Sequence, residues 1–318
     1  MTIRFTFIAV LVFTGTAALA QSNVTLSGRI DLNMGRDIGG NRLRMGTGAA
    51  NYISFAGTED LGGGAQAFFK LTTRINSGNG TTNVIDTVLN SPEGTFWSQE
   101  SYMGLRGTWG SLTLGRQTTA ALLPQVLADP WLWDNVTSGI IAGLGLVGNV
   151  WYNQAVTYAY DSDGFSFSAQ AAQKDSNPGW AGKASKTPYS LSLGYAPGPW
   201  QVRVGYEKPA DGRSRLASVF GSYSFGTFIL SAMAADGKDF TGAHVRTWAV
   251  SSVIFDGADQ FRASVGQYKR EGIEGSQKLS LGYYHSLSTH TSLYANLAYE
   301  RKAPAYRTAY EVGLQHTF

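Results

Sequence analysis

The stretch VTLSGRIDLNMG, residues Val24–Gly35, carries the pattern that decides the fold. Apolar residues occupy alternate positions, and polar or charged residues such as Arg29 and Asp31 lie between them. Because successive side chains of a β-strand point to opposite faces, this strand has one apolar face and one polar face. Such a strand lies between a core and water in a soluble sandwich, or between lipid and water in a membrane barrel. The strand alone is compatible with both.

The connections between the later strands distinguish the two folds. Short turns rich in Gly, Asp and Pro alternate with longer loops, and these residues are the ones that tight turns require. This alternation places the long loops at one end, which a soluble sandwich has no reason to do. We include GTEDLGGG (Gly57–Gly64) among the short turns. The candidate strands are Val24–Gly35, Asn51–Gly57, Ala65–Ile75, Trp97–Gly107, Ser111–Gln117, Val156–Tyr160, Phe165–Gln173, Tyr189–Tyr195, Trp200–Glu207, Leu216–Ser224, Thr227–Ala235, Val245–Phe255, Gln260–Tyr268, Lys278–His285, Thr291–Glu300 and Arg307–Phe318.

These strands number about sixteen, and a closed outer-membrane barrel has an even number of antiparallel strands. The sequence therefore predicts an all-β fold, a transmembrane antiparallel β-barrel, over residues 21–318. A barrel of this size leaves an aqueous channel unless something fills it. Aromatic residues flank many of the turns, as in the girdles at the two membrane interfaces, although strand propensity alone also favours aromatics.

The composition fits a membrane barrel better than a soluble domain. The mean hydropathy of −0.12 is that of a soluble protein, but the chain has 39 Gly, 16 Tyr, 16 Phe and 8 Trp with only 15% charged residues. Alternation hides the apolar face of a membrane strand from such an average. The absence of Cys excludes disulfides and thiolate metal sites. The net charge of +3 is too small to indicate nucleic-acid binding.

Residues 1–20 are predicted to be a signal peptide. Arg4 supplies the charged part, Phe5–Phe13 the apolar part, and Ala18–Ala20 the small residues before a cleavage site at Gln21. The alternative is an uncleaved anchor, but the apolar part is too short to span a bilayer. The mature chain is therefore expected outside the cytoplasm.

The stretch from Thr118 to Tyr152 has no clear strand period and is too long for an ordinary connection. Loops of this length are usually functional or disordered. Trp131, Leu132 and Trp133 argue against disorder because they need a surface to pack on. We predict that this loop folds into the lumen of the barrel and narrows it. The alternative is an exposed recognition loop on the same barrel.

Longer motifs agree with this architecture. They are GTEDLGGGAQAFFKL (Gly57–Leu71), SYMGLRGTWGSLTLGRQ (Ser101–Gln117), LSTHTSLYANLAYE (Leu287–Glu300) and YEVGLQHTF (Tyr310–Phe318). Together they resemble the trimeric general porins of Gram-negative outer membranes, closest to the beta-proteobacterial type. The resemblance covers the whole mature chain. It implies a sixteen-stranded barrel, a homotrimer in outer-membrane lipid and lipopolysaccharide, and passive diffusion of small hydrophilic solutes. It also implies an inward third long loop and an assembly signal that ends at Phe318.

The resemblance further implies a pore constriction in which basic wall residues face acidic residues of the inward loop. Two basic positions of the family are present, Arg29 and Arg116. Tyr52 and Gln99 stand where the family usually has Arg, and no Arg is present near Trp151-Tyr152. The wall is therefore expected to be less basic and more aromatic than in related proteins. Selectivity in such a site follows from pore width and from the sign of the lining charge.

Strand parity adds further candidates for the lumen. Lys70 and Arg74 lie on the polar face of their strand, and Arg203 and Arg262 occupy similar positions in later strands. Asp31 and Glu100, with lumen parity, are expected to form ion pairs in the wall.

Arg116 has the parity of the outward-facing residues of its strand. A bulge at Gly115 would turn it inward, since Gly is common at bulges. The alternatives are a contact with another subunit of a trimer and a position at the extracellular rim.

Asp129 and Asp134 are the carboxylates of the inward loop and are candidates to oppose the basic wall. Asp134 has the alternative of a turn or cap role. The aromatic residues Trp131, Trp133 and Trp151-Tyr152 either form a strip for sugar rings or anchor the loop to the wall. The second interpretation is favoured.

No motif points to an enzyme. The four His residues lie at turns or strand ends without metal-site spacing, and no Gly-x-Ser-x-Gly, HExxH or P-loop motif occurs. We expect no catalytic residue, metal or cofactor. The first hypothesis is a passive diffusion channel in the cell outer membrane. A channel that prefers a sugar or an aromatic acid, and a barrel that acts in adhesion without transport, are the alternatives.

Overall fold

The structure is a computed structural model that describes residues 23–82, 95–133, 149–177, 184–303 and 305–318. Nearly all of the regular structure is one antiparallel sheet. Its strands are β1 (Asn23–Arg36), β2 (Arg44–Gly46), β3 (Tyr52–Gly62), β4 (Ala65–Arg74), β5 (Glu100–Gly107), β6 (Gly110–Thr118), β7 (Trp151–Ser162), β8 (Phe165–Ala172), β9 (Tyr189–Tyr195), β10 (Trp200–Lys208), β11 (Arg215–Ser224), β12 (Phe228–Lys238), β13 (His244–Asp256), β14 (Asp259–Arg270), β15 (Ile273–Ser286), β16 (Thr291–Glu300) and β17 (Thr308–Thr317).

The sheet closes on itself because the last strand pairs with the first. β17 lies antiparallel to β1, from the pair Arg29 and Thr317 to the pair Arg36 and Tyr310. β2 and β3 both pair with the other edge of β1, so they share one place in the ring. The described strands therefore form a closed barrel of sixteen positions, and the predicted fold is confirmed.

Side chains alternate between the two surfaces of this wall. On β10, Val202 and Val204 are more than 40% exposed on the outer face, whereas Gly205 and Glu207 are buried on the inner face. The apolar side chains of the outer face are shielded from water only if lipid surrounds the barrel. The barrel thus has an apolar outer surface and a polar inner surface, as the sequence pattern predicted.

Three strand boundaries differ by five residues from the sequence-based prediction, and one of them is the start of β15, which lies at Ile273 instead of Lys278. β3 continues through most of GTEDLGGG, so the turn is only Gly63-Gly64, with φ of +62° and +79°. The polar residues before this turn pair with β4. They resemble turn residues in the sequence because they are polar, although they belong to the strand. Trp151 and Tyr152 were assigned to the long loop, but they begin β7. A register shift against β6 and the positive φ of Gln154, +50°, interrupt the strand period there.

The described part of the chain contains only short helical turns, at Ala120–Leu122, Leu123–Val126 and Lys174–Ser176. None of them is long and apolar enough to cross a membrane. The first two lie inside the barrel, where they begin the segment described next.

Candidate pore constriction

Residues 119–133, which we call the constriction segment, leave the end of β6 and turn into the barrel. The hydroxyl of Thr119 donates to the carbonyl of Asn149 at 2.7 Å, which ties the two ends of the long connection together. The helical turn Leu123–Val126 follows, with Pro124 in its first turn, where a missing N–H costs nothing. Residues 134–148 lie outside the described residues, so the rest of the predicted loop remains a prediction.

Hydrogen bonds from the inner wall hold the constriction segment along its path. Ser190 of β9 accepts from the amide of Ala121 at 2.8 Å. Further round the ring, the hydroxyl of Ser251 in β13 donates to the carbonyl of Ala128 at 2.7 Å. Arg262 of β14 donates to the carbonyl of Pro130 at 3.0 Å. The segment therefore follows the inner wall from β9 to β14.

An apolar cluster covers the same path. Ala128 packs among side chains that point into the barrel from β11, β12 and β13, and Leu127 and Trp133 pack against the cluster. Apolar side chains on the wet face of a barrel are unfavourable unless something covers them. The segment supplies that cover. The buried wall residues are Leu216, Phe220, Met233, Ala235, Val245 and Ala249.

Trp131 fixes the far end of the constriction segment. Its indole is 2% exposed, packs with Tyr284 and Tyr294, and donates through Nε1 to Oδ1 of Asn296 at 2.9 Å. The ring comes so close to β15 that a Cβ at Gly282 would lie 3.0 Å from it. The prediction that the loop tryptophans anchor the loop to the wall is confirmed for Trp131.

Asp129 shapes the turn that presents Trp131. Its two carboxylate oxygens accept from the amides of Trp131 and Trp133, each at 3.0 Å. Leu132 and Trp133 have φ of +52° and +72°, a conformation that costs energy for residues other than Gly. Asp129 also interacts electrostatically with Arg262, on the wall that the segment covers. The structure therefore places this carboxylate beside the covered wall, with its oxygens bonded to the segment's own backbone.

Glu207 holds the return of the long connection. This 1% exposed carboxylate of β10 accepts from the amide of Asn149 at 2.9 Å and from the hydroxyl of Tyr152 at 2.8 Å. Tyr152 is itself fully buried at the start of β7. One acidic side chain thus fixes both Asn149, two residues before β7, and Tyr152 in the strand that follows.

The opposite side of the lumen carries arginines and aromatic rings. Arg29 is the register partner of Tyr52, and Tyr52 is the partner of Arg74 on the next strand. The guanidinium of Arg29 lies 5.5 Å from the ring centroid of Tyr52, and that of Arg74 lies 5.7 Å from the ring of Trp151. Aromatic faces attract guanidinium groups, so the rings help to orient the arginines on this wall.

Arg116 belongs to the same wall, at the predicted bulge. The β6–β7 register shifts between Gly115 and Gln117, and Gly115 has a φ of +129° that favours glycine. Arg116 is 7% exposed, and its Nε and Nη2 donate to the carbonyl of Ser98 at 3.0 and 2.7 Å. Its guanidinium lies 5.1 Å from the ring of Trp151. The wall formed by Arg29, Tyr52, Arg74, Arg116 and Trp151 is called the arginine wall below.

Lys70 lies on the strand of Arg74, four residues toward the short-turn end. Its ammonium forms a 2.7 Å salt bridge with Glu100 of β5, so the predicted wall ion pair of Glu100 is confirmed. This pair is partly exposed, and its charges cancel at short range. Lys70 therefore adds less positive field to the lumen than Arg29 or Arg74.

A buried polar network joins the two sides of the barrel. The hydroxyl of Tyr294 in β16 donates to Asp31 of β1 at 2.6 Å. Asn296, which accepts from Trp131, donates to Glu311 of β17 at 2.8 Å. Removing one member of such a network leaves the others unsatisfied. The constriction segment is thus tied to the strand pair that closes the ring.

The structure brings four of the predicted site residues together on one wall: Arg29, Tyr52, Arg74 and Arg116. Asp129 lies with the segment on the other side, and Asp134 lies outside the described residues. Sequence reasoning missed Glu207 and the covered apolar residues of β11–β13. Their signal was visible, because Leu216 and Phe220 break the polar pattern on the lumen side of their strand.

Phe318 lies where the barrel closes. Its amide donates to the carbonyl of Gly28 at 3.1 Å, and the amide of Gly28 donates back to its carbonyl at 2.9 Å. The terminal residue therefore completes the β1–β17 pairing. This position is compatible with the assembly signal that the sequence predicts.

A sixteen-position barrel with an apolar outside, a polar inside and a segment folded into its lumen defines a water-filled membrane channel. No group of three or more potential metal ligands occurs among the described residues. A family model described as Gram-negative porin matches residues 8–303, and the chain belongs to that family. It is a porin of the cell outer membrane, through which small hydrophilic solutes and ions diffuse passively.

Relatives and solved structures agree with this assignment. The chain is 28% identical over 377 residues to an outer membrane porin protein of Bordetella pertussis, an alignment that covers 95% of this chain and 96% of the relative. The structure of the anion-selective porin from Comamonas acidovorans matches with a TM-score of 0.76 and 22% identity, over 94% of this chain and all of that one. OmpT of Vibrio cholerae in its trimer form matches with a TM-score of 0.69 and 12% identity, over 93% and 99% of the two chains. At these identities the structural matches show the fold alone.

Proposed function

We propose that the constriction segment and the arginine wall form the narrowest part of the channel and give it a preference for anions. The observation that carries the proposal is the asymmetry of the lumen. Hydrogen bonds and a covered apolar cluster hold the segment on one side, while Arg29, Arg74 and Arg116 are gathered on the other. Ions passing between them meet a wall of one charge sign.

The electrostatics favour a modest preference. Arg29 and Arg74 are partly exposed on the lumen side, so they act on ions through water. Arg116 is buried under Trp151 and acts at longer range. Lys70 is balanced by Glu100. The Comamonas protein named as an anion-selective porin supports the same sign for this chain.

The test replaces the two partly exposed arginines. Arg29→Glu with Arg74→Glu should move the reversal potential of single channels in a KCl gradient toward cation selectivity, because the wall changes sign. The milder pair Arg29→Gln with Arg74→Gln should give an intermediate shift. This pair keeps the test informative if the charge reversal prevents assembly.

The matched control changes two exposed arginines of the long loops, Arg42→Glu with Arg307→Glu, by the same total charge. It should leave the reversal potential near that of the unaltered protein. An equal shift in control and test would show that overall charge, and not the arginine wall, sets selectivity.

A preference for sugars or aromatic acids has less support. Trp131 and Trp151 are 2% and 4% exposed, so their rings contact protein instead of presenting a face to solutes. The proposal assigns the chain no catalytic step and no cofactor. Current blocked by a sugar at low concentration would favour the alternative.

The proposal includes a homotrimer and a cleaved leader. The sequence resemblance and the match to OmpT in its trimer form support the trimer. Native mass spectrometry of the detergent-solubilised protein would give three chains, and a monomer alone would reject this part. Amino-terminal sequencing of the exported protein should begin at Gln21, since residues 1–20 have the composition of a signal peptide.

A further inference from the structure

The place beside β1 in the ring is shared by two strands that pair with it in different registers. β2 pairs through Gly46 and Asn33, and β3 pairs from Tyr52, which lies opposite Arg29. Three residues of β1 lie between these two pairs, whereas five residues connect β2 with β3. Residues 47–51, which we call the β2–β3 bulge, are thus two residues longer than a flat strand requires. They must leave the plane of the sheet.

The β2–β3 bulge turns toward the lumen. Asp31, on the inner face of β1, is 0% exposed, and its carboxylate accepts from the amide of Ala49 at 3.0 Å. A Cβ at Gly48 would overlap the hydroxyl of Tyr294 and would lie 2.6 Å from Oδ1 of Asp31. Both of these side chains point inward from their strands. The backbone of the bulge therefore lies over them, inside the barrel.

Asn51 completes the hydrogen bonding that the bulge interrupts. Asp31 lies opposite the bulge, between the paired parts of the two strands. Its backbone amide donates to Oδ1 of Asn51 at 2.6 Å, and its backbone carbonyl accepts from Nδ2 of Asn51 at 3.0 Å. The side-chain amide of Asn51 takes the place of a peptide group in the neighbouring strand. Because buried backbone groups without partners are costly, this contact stabilises the bulge.

The bulge also holds one residue of the arginine wall. Nε of Arg29 donates to the carbonyl of Ala50 at 2.8 Å, and its guanidinium lies over the ring of Tyr52. A carbonyl oxygen and an aromatic face together restrict the side chain to one region of the lumen. The place of Arg29 in the channel therefore depends on the β2–β3 bulge.

Tyr294 connects the bulge with the constriction segment. Its ring packs with Trp131 at the tip of that segment, and its hydroxyl donates to Asp31 beneath the bulge. The constriction segment covers the inner wall from β9, and the bulge extends this cover to β1. The arc from β3 to β7 is left to face the channel.

We propose that the β2–β3 bulge is a second constriction element, which narrows the channel from the side of β1 and positions Arg29. The inference rests on the proposed function, because it assumes the pore between the constriction segment and the arginine wall. It adds that the bulge helps to set the largest solute that passes. It also makes the effect of Arg29 on anions dependent on the carbonyl of Ala50.

The main test removes the two extra residues. Deletion of Ala50 and Asn51 leaves three residues opposite three, so β2 and β3 can join in one register with Gly48 beside Asp31. A change of two residues preserves the alternation of faces. Single-channel conductance should rise. Neutral polyethylene glycols that are too large to enter the unaltered channel should now enter and reduce the current.

Deletion of Gly39 and Gly40 is the matched control. It removes two small, uncharged residues from the extracellular loop between β1 and β2. Its conductance and its size limit for polyethylene glycol should match those of the unaltered protein. Equal values in the bulge deletion, the control and the unaltered channel would overturn the proposal.

Gly48→Ala tests the bulge in the opposite direction and remains informative if the deletion prevents assembly. The added Cβ meets Tyr294 and Asp31 in the wall, so the bulge should move further into the lumen and the conductance should fall. Gly198→Ala is the control, because a Cβ there meets no atom within 4 Å. An unchanged or higher conductance in Gly48→Ala would contradict the proposed narrowing.

Arg29→Gln tests the positioning of the arginine. In the unaltered channel it should move the reversal potential in a KCl gradient toward cations. In the channel without Ala50 and Asn51 the shift should be smaller, because the guanidinium has already lost its carbonyl partner. Equal shifts in the two channels would reject the positioning. The size limit for neutral polymers does not depend on wall charge, so failure of the bulge is distinguishable from failure of the proposed selectivity.

Discussion

The two sides of the lumen are built from the same alternating strands, yet they differ in what covers them. From β9 to β16 the inner face meets the constriction segment through a covered apolar cluster and through hydrogen bonds from several wall residues. From β1 to β7 the inner face carries the arginine wall. One side behaves as a core and the other as the surface of a pore.

The difference shows that lumen parity alone does not make a residue part of the channel. Phe220 and Arg74 both point inward, but Phe220 is 1% exposed beneath the segment and Arg74 is partly exposed. Burial of an apolar residue stabilises the docked segment, whereas an arginine is more stable when it stays hydrated. The apolar side of the lumen therefore favours contact with the segment, and the arginine side favours contact with water.

The largest expected effect comes from placing a charge in the covered side. Phe220→Asp puts a carboxylate among apolar residues that contact Ala128, which costs several kcal/mol unless the segment moves away. We expect the constriction segment to detach and the single-channel conductance to rise with added current noise. Planar-bilayer recording measures both.

Ser222→Asp is the matched control for this change. It lies two residues further along the same inner face of β11, and Ser222 is not part of the covered cluster. Its conductance should stay close to that of the unaltered protein. Unchanged conductance in Phe220→Asp would mean that the segment does not narrow the pore.

A smaller effect is expected from the anchor of the segment tip. Asn296→Ala removes the acceptor of the Trp131 indole and leaves buried polar groups unpaired, which costs about 1–3 kcal/mol for each. We expect more frequent closures and current noise at unchanged ion selectivity. Trp131→Phe in the Asn296→Ala background should recover part of the loss, because the orphaned N–H is then absent. Additive losses would contradict a direct coupling between the two side chains.

The smallest effect is expected at the ion pair of the open side. Lys70→Gln and Glu100→Gln each break a 2.7 Å pair that is partly exposed, and such pairs contribute about 0–1 kcal/mol. Thermal unfolding of the detergent-solubilised protein should shift little in either variant. The reversal potential should move slightly toward cations for Lys70→Gln and toward anions for Glu100→Gln. A large loss of stability in either one would show that this pair holds the barrel together.

Much of the fold was predictable because alternation is a local signal. The strand around Val202 and Val204 was predicted within a residue of its bounds, since the chain itself records which side meets lipid. The same rule places Arg74 in the lumen, whereas Tyr52, its partner in the sheet, is a candidate through the family resemblance. The same rule leaves Trp151 in the loop, because the period of two is interrupted between Tyr152 and Ala155.

The candidate site was less predictable because it depends on neighbours that are distant in the chain. The bulge at Gly115 was expected from its residue type, but the contact of Arg116 with Trp151 required the register of β6 and β7. Asp129 is one of two candidates to oppose the arginines, and that role stays a prediction. The structure adds that its carboxylate accepts hydrogen bonds from the amides of Trp131 and Trp133, contacts that the sequence alone does not reveal.

The sequence by itself determined that this chain forms a water-filled barrel in a membrane. An alternation with a period of two depends only on the geometry of a single strand that has lipid on one face and water on the other. Only the tertiary structure decided which inward residues form the pore. Closure brings β1 beside β17 and lays residues 119–133 across strands that follow much later in the chain. Strand parity gives the face on which a side chain lies. Whether that side chain is buried or exposed to the channel depends on which distant segments the closed barrel brings over it.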